Sequence, residues 1–319
     1  MSQSDAIWRV GIDLGGTKIA GRLLTPDGKF GPEVRVSTPA DDYDATLRAI
    51  MGLVDTLCLD GGVVDGRSVF VGIGIPGSPA PGTGRIQNAN STWLNGRTFG
   101  FDIEAHLEKP TRVANDANCF ALSEAVDGAA ADATSVFGVI LGTGCGGSFV
   151  LPDRSKPSDV FALDGPRGTG GEWGHNPLPA PRPDEQPGPT CWCGRTGCLE
   201  TWISGPGLAA DHARRTGDVW TAEAIASAAD QGNMAALKTL DLHADRVARG
   251  LATVANILDP DIIVIGGGLS NLNNLVETLP DRMAPHIFAD DRKVIVRRAR
   301  WGDASGARGA ARLWSAAAR

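Results

Sequence analysis

The chain has 319 residues, 42% hydrophobic and 21% charged, with a formal net charge of −7. That length suits two lobes rather than one core, and an acidic chain without a Lys/Arg-dense block argues against a nucleic-acid partner. No apolar run is long enough to span a bilayer. The opening MSQSDAIWRVGIDLGG lacks the basic start and apolar core of a signal peptide, so a cytoplasmic protein away from membranes is expected.

In chain order, Ile7–Leu14 reads as a buried strand ending in glycines, and strand-like pattern with turns continues to about Val36. Leu47, Ile50, Met51, Val54 and Leu57 recur at helical spacing. Val69–Ile75 is a second apolar strand, closed by Pro76 and Gly77. Strand, helix and strand in this order indicate an α/β lobe. A second round begins near Val113. Ala117–Ala125 reads as a helix opened by Asn115 and Asp116, and Val136–Leu141 as a strand running into Gly142-Thr143-Gly144-Cys145-Gly146-Gly147. The Leu151–Gly171 stretch and the proline-rich Ala180–Thr190 stretch read as irregular loops, the first of them long and mobile. Val247, Leu251, Val254 and Leu258 share a helical face that stops at Asp259-Pro260. Ile262–Ile265 is a strand leading into Gly266-Gly267-Gly268, and the tail from Ala304 to Ala318 looks helical. Gly11–Thr17 echoes Gly138–Gly144, each a strand entering a glycine turn, which supports two similar lobes facing one another.

Four groups of residues carry chemistry. Asp13-Leu14-Gly15-Gly16-Thr17-Lys18 places successive backbone N–H groups after a strand, suited to phosphate oxygens. It matches neither common nucleotide fingerprint. Asp13 is placed either to face a magnesium ion or to bond the amides of a plain hairpin turn. With Gly142–Gly144 and Gly266–Gly268 there are three such glycine turns. Asn115-Asp116 reads either as a helix cap or as the site of a general base, because a sugar hydroxyl is a weak nucleophile that needs a carboxylate to accept its proton. Among the six cysteines, Cys191, Cys193 and Cys198 form a C-x-C-x₄-C run. With His175 as a fourth ligand they make a closed Cys₃His set for structural zinc; unrelated buried thiols are one alternative, and a nucleic-acid zinc module, which the acidic charge opposes, is the other. Glu172 and Glu200 flank this cluster, either as solvated surface carboxylates or as acceptors for sugar hydroxyls.

Asp13–Lys18, Asn115-Asp116, Gly142–Gly144, Glu172–His175 and Cys191–Cys198 occur in the order seen in the ROK family (repressors, open reading frames, kinases), which this chain resembles over nearly its whole length. Asn88–Gly96, Ala114–Ala125, Gly171–Pro179 and Asn256–Gly268 look most like its bacterial, mannokinase-like fructokinases. The resemblance implies an α/β protein of the actin-like ATPase (ribonuclease H-like) fold, with two α/β lobes around a central cleft: residues 1–113 plus 303–319 as a small lobe, and 114–302 as a large lobe carrying the zinc loop. It implies ATP and Mg²⁺ as cofactors, a structural Zn²⁺ and a homodimer. Carried over by position, Asp116 resembles the catalytic base, and Asn90, Asn115, Glu172, His175 and Glu200 resemble the residues that hold the sugar. Asp13, Gly15, Gly16, Thr17, Lys18, Gly142, Thr143 and Gly144 resemble the phosphate and metal side, and Gly266, Gly267 and Gly268 the nucleotide-side turn. His175, Cys191, Cys193 and Cys198 resemble the zinc ligands, with His175 touching both metal and sugar. The expected reaction is phosphorylation of the 6-hydroxyl of fructose, with N-acetylglucosamine, glucose and mannose as alternative acceptors. A sugar-responsive regulator is the alternative of another class; such members carry a helix-turn-helix extension ahead of the first glycine turn. A catalytically dead sugar-binding module is a third, which intact Asp13 and Asp116 oppose. Val150–Gly170 departs from the family's short glycine-rich hairpin in being longer and more polar.

Overall fold

The computed structural model describes residues 7–63, 68–153 and 160–314. In chain order its elements are β1 (Trp8–Leu14), β2 (Lys18–Leu24), β3 (Val34–Ser37), α1 (Tyr43–Asp60), β4 (Val69–Ile75), β5 (Ser78–Pro79), β6 (Ile86–Gln87), α2 (Phe99–Leu107), β7 (Thr111–Asn115) and α3 (Asp116–Val126). There follow β8 (Val136–Leu141), β9 (Cys145–Pro152), β10 (Val160–Ala162), α4 (Glu200–Ile203), α5 (Gly205–Thr216), α6 (Ala222–Asp230), α7 (Met234–Leu258), β11 (Ile262–Gly266), α8 (Leu275–Met283), β12 (Val296–Arg298) and α9 (Ser305–Ala311). The described residues fall into two compact units, one drawn from 1–128, 149–170 and 301–319, the other from 129–148 and 171–300. In this division residues 114–128 and 149–170 accompany the N-terminal stretch, because α3 packs against α9 and β10 against α3. No helix among the described residues is long and apolar enough to cross a membrane.

The first unit is built on a sheet ordered β3-β2-β1-β4-β7, in which β1, β4 and β7 run parallel. Val10, Ile12 and Leu14 alternate into a core shared with the α1 stripe of Leu47, Ile50, Leu53, Val54 and Leu57. Helix α9 lies directly on the sheet backbone: a Cβ at Gly11 would stand 1.9 Å from the Ala307 carbonyl oxygen, and one at Gly72 1.8 Å from that of Ala310. Only glycine permits that approach. The described part of the tail is helical only over α9; residues 315–318 of the expected helix lie outside the described residues.

The stretch expected to be one long loop contains an antiparallel hairpin instead, with Val160 opposite Pro152 and Ala162 opposite Val150. Residues 154–159 of that stretch lie outside the described residues. Beyond the hairpin, Asp164 accepts a hydrogen bond from the Asn118 side chain on α3, and the Arg167 carbonyl accepts one from Gln87 Nε2 at 2.9 Å.

The second unit has the parallel neighbours β8, β11 and β12, with β9 beside β8. The apolar face read at Val247–Leu258 belongs to a longer helix, α7, that begins at Met234 behind the Asn233 cap. It ends where Asp259 takes φ 44, ahead of Pro260. The proline-rich stretch is fixed by charge. Glu185 accepts hydrogen bonds from Arg246 Nε at 2.8 Å and Arg249 Nη2 at 2.8 Å, and Asp211 on α5 accepts from Arg246 Nη1 at 2.8 Å. All four side chains are buried.

Candidate active site

In the first unit the predicted residues collect at the carboxyl ends of the parallel strands, where open α/β sheets bind ligands. Asp13 near the end of β1 stands opposite Gly74 of β4, and Ile75 stands opposite Asn115, the last residue of β7. Gly77, with φ +80, makes the turn after β4, and its carbonyl accepts from Asn115 Nδ2 at 3.0 Å. Asn115 is the cap of α3: its Oδ1 accepts from Ala117 N at 2.8 Å. Asn115 rather than Asp116 is therefore the residue that caps the helix. Asp116 is displaced to the first helical position, where its Oδ1 also accepts from Ala117 N at 2.8 Å and the helix dipole favours a negative charge.

Asp13 is surrounded by protein yet keeps a partial opening to solvent. Burial first, and then the negative charge of Asp116, raise its pKa to about 7 against the opposing pull of Lys18. A Cβ on Gly306, at the start of α9, would come 2.4 Å from Asp13 Oδ2, so this glycine is what lets the helix start approach the carboxylate. The adjoining turn is closed by Gly15 N donating to the Lys18 carbonyl at 3.0 Å and by Thr38 Oγ1 donating to the Gly15 carbonyl at 2.8 Å. Gly16 and Thr17 are exposed at its tip. Lys18 forms an exposed ion pair with Asp303 at 3.0 Å. Asn90 is exposed on a turn whose Ala89 backbone is held in both directions by the Asn95 side chain at 2.9 Å.

In the second unit the other predicted residues share a corresponding edge. Gly142–Gly144 follows β8 and Gly266–Gly268 follows β11, and these strands are parallel neighbours with Ile140 opposite Gly266. Gly267 has φ +80, and a Cβ on it would meet the Leu141 carbonyl oxygen at 2.3 Å, so the two turns touch. Glu200 Oε2 accepts from Cys145 N, just after the first turn, at 2.9 Å. The short helical turn Trp173–His175 packs tightly on the start of β9: a Cβ on Gly174 would stand 2.4 Å from the Cys145 carbonyl oxygen. This brings Glu172, His175 and Glu200 together. His175 Nε2 lies 4.0 Å from Glu172 Oε2. The Glu172 carboxyl is raised by burial, lowered by His175 and raised again by Glu200. Two carboxylates that repel one another beside an imidazole suit a ligand rich in hydroxyl donors.

His175 turns its other nitrogen to the cysteine loop, with Nδ1 3.6 Å from Cys191 Sγ, and Cys193 Sγ lies 3.6 Å from Cys198 Sγ. The four ligand atoms lie within 4.8 Å of one another. A tetrahedral zinc with ordinary Zn–S and Zn–N bonds has ligand-to-ligand edges of about 3.6–3.8 Å, so the set fits such an ion. The loop is shaped by Cys191 N donating to the Arg195 carbonyl at 2.7 Å and by Gly194 at φ +86.

Three features escaped the sequence reading. The Glu185–Arg246–Arg249 cluster had a usable signal, since two arginines on the buried face of α7 demand acidic partners. The bond from Trp192 Nε1 to Glu200 Oε1, at 2.8 Å, and the Asn118–Asp164 pair had none, because both join residues through loop geometry.

A family model described as the ROK family matches residues 9–317. The chain is 38% identical over 307 residues to an N-acetyl-D-glucosamine kinase of Shigella flexneri, covering 95% of this chain and 98% of that protein. Among solved structures, a ROK hexokinase from Thermus thermophilus superposes with a TM-score of 0.81 at 30% identity, covering 95% of this chain and 96% of its own. A ROK family glucokinase from Streptomyces griseus, solved with glucose and AMPPNP, gives 0.74 at 26% identity, covering 96% and 98%. The expected α/β, actin-like ATPase fold holds. A chain matched by one family model from its first strand to its last helix, with two 30%-or-better relatives covered almost completely, belongs to the ROK family.

Proposed function

We propose that this protein is an ATP-dependent hexose kinase that transfers the γ-phosphoryl group of ATP to a primary hydroxyl, with N-acetylglucosamine as its foremost acceptor. The observation that carries the reading is the pairing of Asp13 and Asp116 at the carboxyl ends of parallel strands, beside a glycine turn. Asp116 accepts the hydroxyl proton as that oxygen bonds to the γ-phosphorus, the bond to the bridging oxygen of ADP breaks, and ADP leaves. Asp13, held near neutral pKa by burial and by its like-charged neighbour, is suited to face Mg²⁺. Gly15–Thr17 and Gly142–Gly144 offer amides to phosphate oxygens, with Lys18 beside the first turn, and Gly266–Gly268 lines the nucleotide side. Asn90, Asn115, Glu172, His175 and Glu200 take the acceptor's hydroxyls. Zinc on His175, Cys191, Cys193 and Cys198 would fold and orient the loop, since a Cys₃His set leaves no open position for substrate.

The acceptor is the finer part of the reading. The 38% identity with N-acetyl-D-glucosamine kinases supports that sugar over fructose, which the resemblance of Asn88–Gly96, Ala114–Ala125, Gly171–Pro179 and Asn256–Gly268 had suggested. ADP release measured with N-acetylglucosamine, glucose, mannose and fructose ranks the acceptors, and turnover of none of them defeats the kinase reading. Asp116→Asn is expected to retain the fold while losing at least ~10²-fold in kcat; near-normal turnover rejects Asp116 as the base. Elemental analysis of the purified protein is expected to find one zinc per chain, lost on chelation together with thermal stability.

A further inference from the structure

Both carboxylate oxygens of Glu200 are engaged by hydrogen-bond donors. Oε2 accepts from Cys145 N at 2.9 Å, and Oε1 accepts from the indole Nε1–H of Trp192 at 2.8 Å. Cys145 directly follows the Gly142–Gly144 turn, and the Gly142 carbonyl accepts from Gly205 N at 2.7 Å. The segment that carries Glu200 is therefore fastened to that turn at two points. Its third fastening comes from the cysteine loop. Trp192 stands between two candidate metal ligands, Cys191 and Cys193, and its ring meets His175 edge-on at 5.0 Å with an interplanar angle of 85°.

Trp192 is 59% exposed, so hydrophobic burial does not explain its position. What its position does provide is one N–H aimed at one oxygen of a carboxylate. A carboxylate offers about four lone-pair sites. With one taken on each oxygen by a fixed donor, the plane of the group is set and one site per oxygen is left for hydroxyls.

We propose that Trp192 is a positioning residue: through its indole N–H it ties the metal-binding loop to Glu200 and fixes that carboxylate for recognition of the acceptor. The inference rests on the reading of Glu200 as an acceptor-binding residue. It adds a route by which the state of the metal loop reaches the acceptor, through a side chain that touches neither metal nor substrate.

Trp192→Phe keeps a flat aromatic ring, though a smaller one, and removes the donor. In the metal-loaded enzyme, the KM for N-acetylglucosamine is expected to rise about tenfold, the size of one hydrogen bond to a charged group, with kcat and the KM for ATP within about twofold and the metal retained. In a Glu200→Gln background the same substitution is expected to add little, because the two side chains act as one unit. An unchanged acceptor KM, full additivity in the double variant, or loss of the metal in Trp192→Phe overturns the proposal; the last would make Trp192 a structural part of the loop. A second readout needs no substrate. The Trp192 indole N–H resonance, assigned by its absence in Trp192→Phe, is expected downfield and to move upfield in Glu200→Gln. A resonance indifferent to Glu200 defeats the proposal even if no sugar is turned over, whereas a wild type inert toward every hexose defeats the kinase reading alone.

Discussion

Two buried carboxylates, one in each unit, sit at opposite ends of the titration scale. Burial pushes both upward. In the first unit the effect wins: Asp13 faces the like charge of Asp116, only Lys18 opposes, and its pKa stands at about 7. In the second unit burial loses. The side chains of Arg249 and Arg246 and the Arg182 backbone donate to Glu185 and hold it at about 2. Burial alone therefore does not say what a carboxylate is for. Where donors saturate the group its charge is held in place, and where its neighbours repel it the charged form is disfavoured until an opposing charge or a proton arrives.

This contrast can be broken by substitution. Glu185→Ala leaves two buried guanidinium groups short of a partner and is expected to destabilise the protein by about 3–5 kcal/mol, read as a lower urea midpoint. A change below about 1 kcal/mol would make the cluster ornamental. Asp13→Asn is expected to act in the opposite direction. A carboxyl whose folded pKa exceeds its unfolded value of about 3.8 weakens the fold as pH rises, fully so above about pH 7. Removing it should stabilise the metal-free protein by as much as about 4 kcal/mol at pH 8 and by almost nothing at pH 4, while activity is lost. A pH-independent difference would show that Asp13 is not strained. The smallest effect on stability is expected at Gly16, around which a Cβ would meet nothing within 4 Å. Gly16→Ala should change stability by no more than about 1 kcal/mol yet raise the KM for ATP. An unchanged KM would mean that the turn is only a hairpin.

The same contrast explains what the sequence made legible. Strand β1, the α1 stripe and the three glycine turns were readable because period-2 and period-3.6 patterns and glycine punctuation are local signals. Asn115 and Asp116 were readable as a pair, but which of them caps α3 depends on where the helix begins, one residue either way. The Cys₃His set was readable from spacing, with the histidine supplied from upstream. The hairpin at Val150–Ala162 was not, because Pro and Asp in that stretch mask a strand that forms by pairing. The Glu185 cluster joins a proline-rich turn to a helix more than sixty residues later, which no local pattern encodes.

Helix α9 arrives at the sheet of the first unit after the whole of the second unit has been spelled out in the chain. The bare backbone stripe at Gly11 and Gly72 is shaped for that helix and for nothing bulkier. During synthesis this face stays uncovered while residues 171–300 emerge. The first unit therefore cannot be completed until the last stretch of the chain has been made, and Asp13 gains its Gly306 neighbour only then.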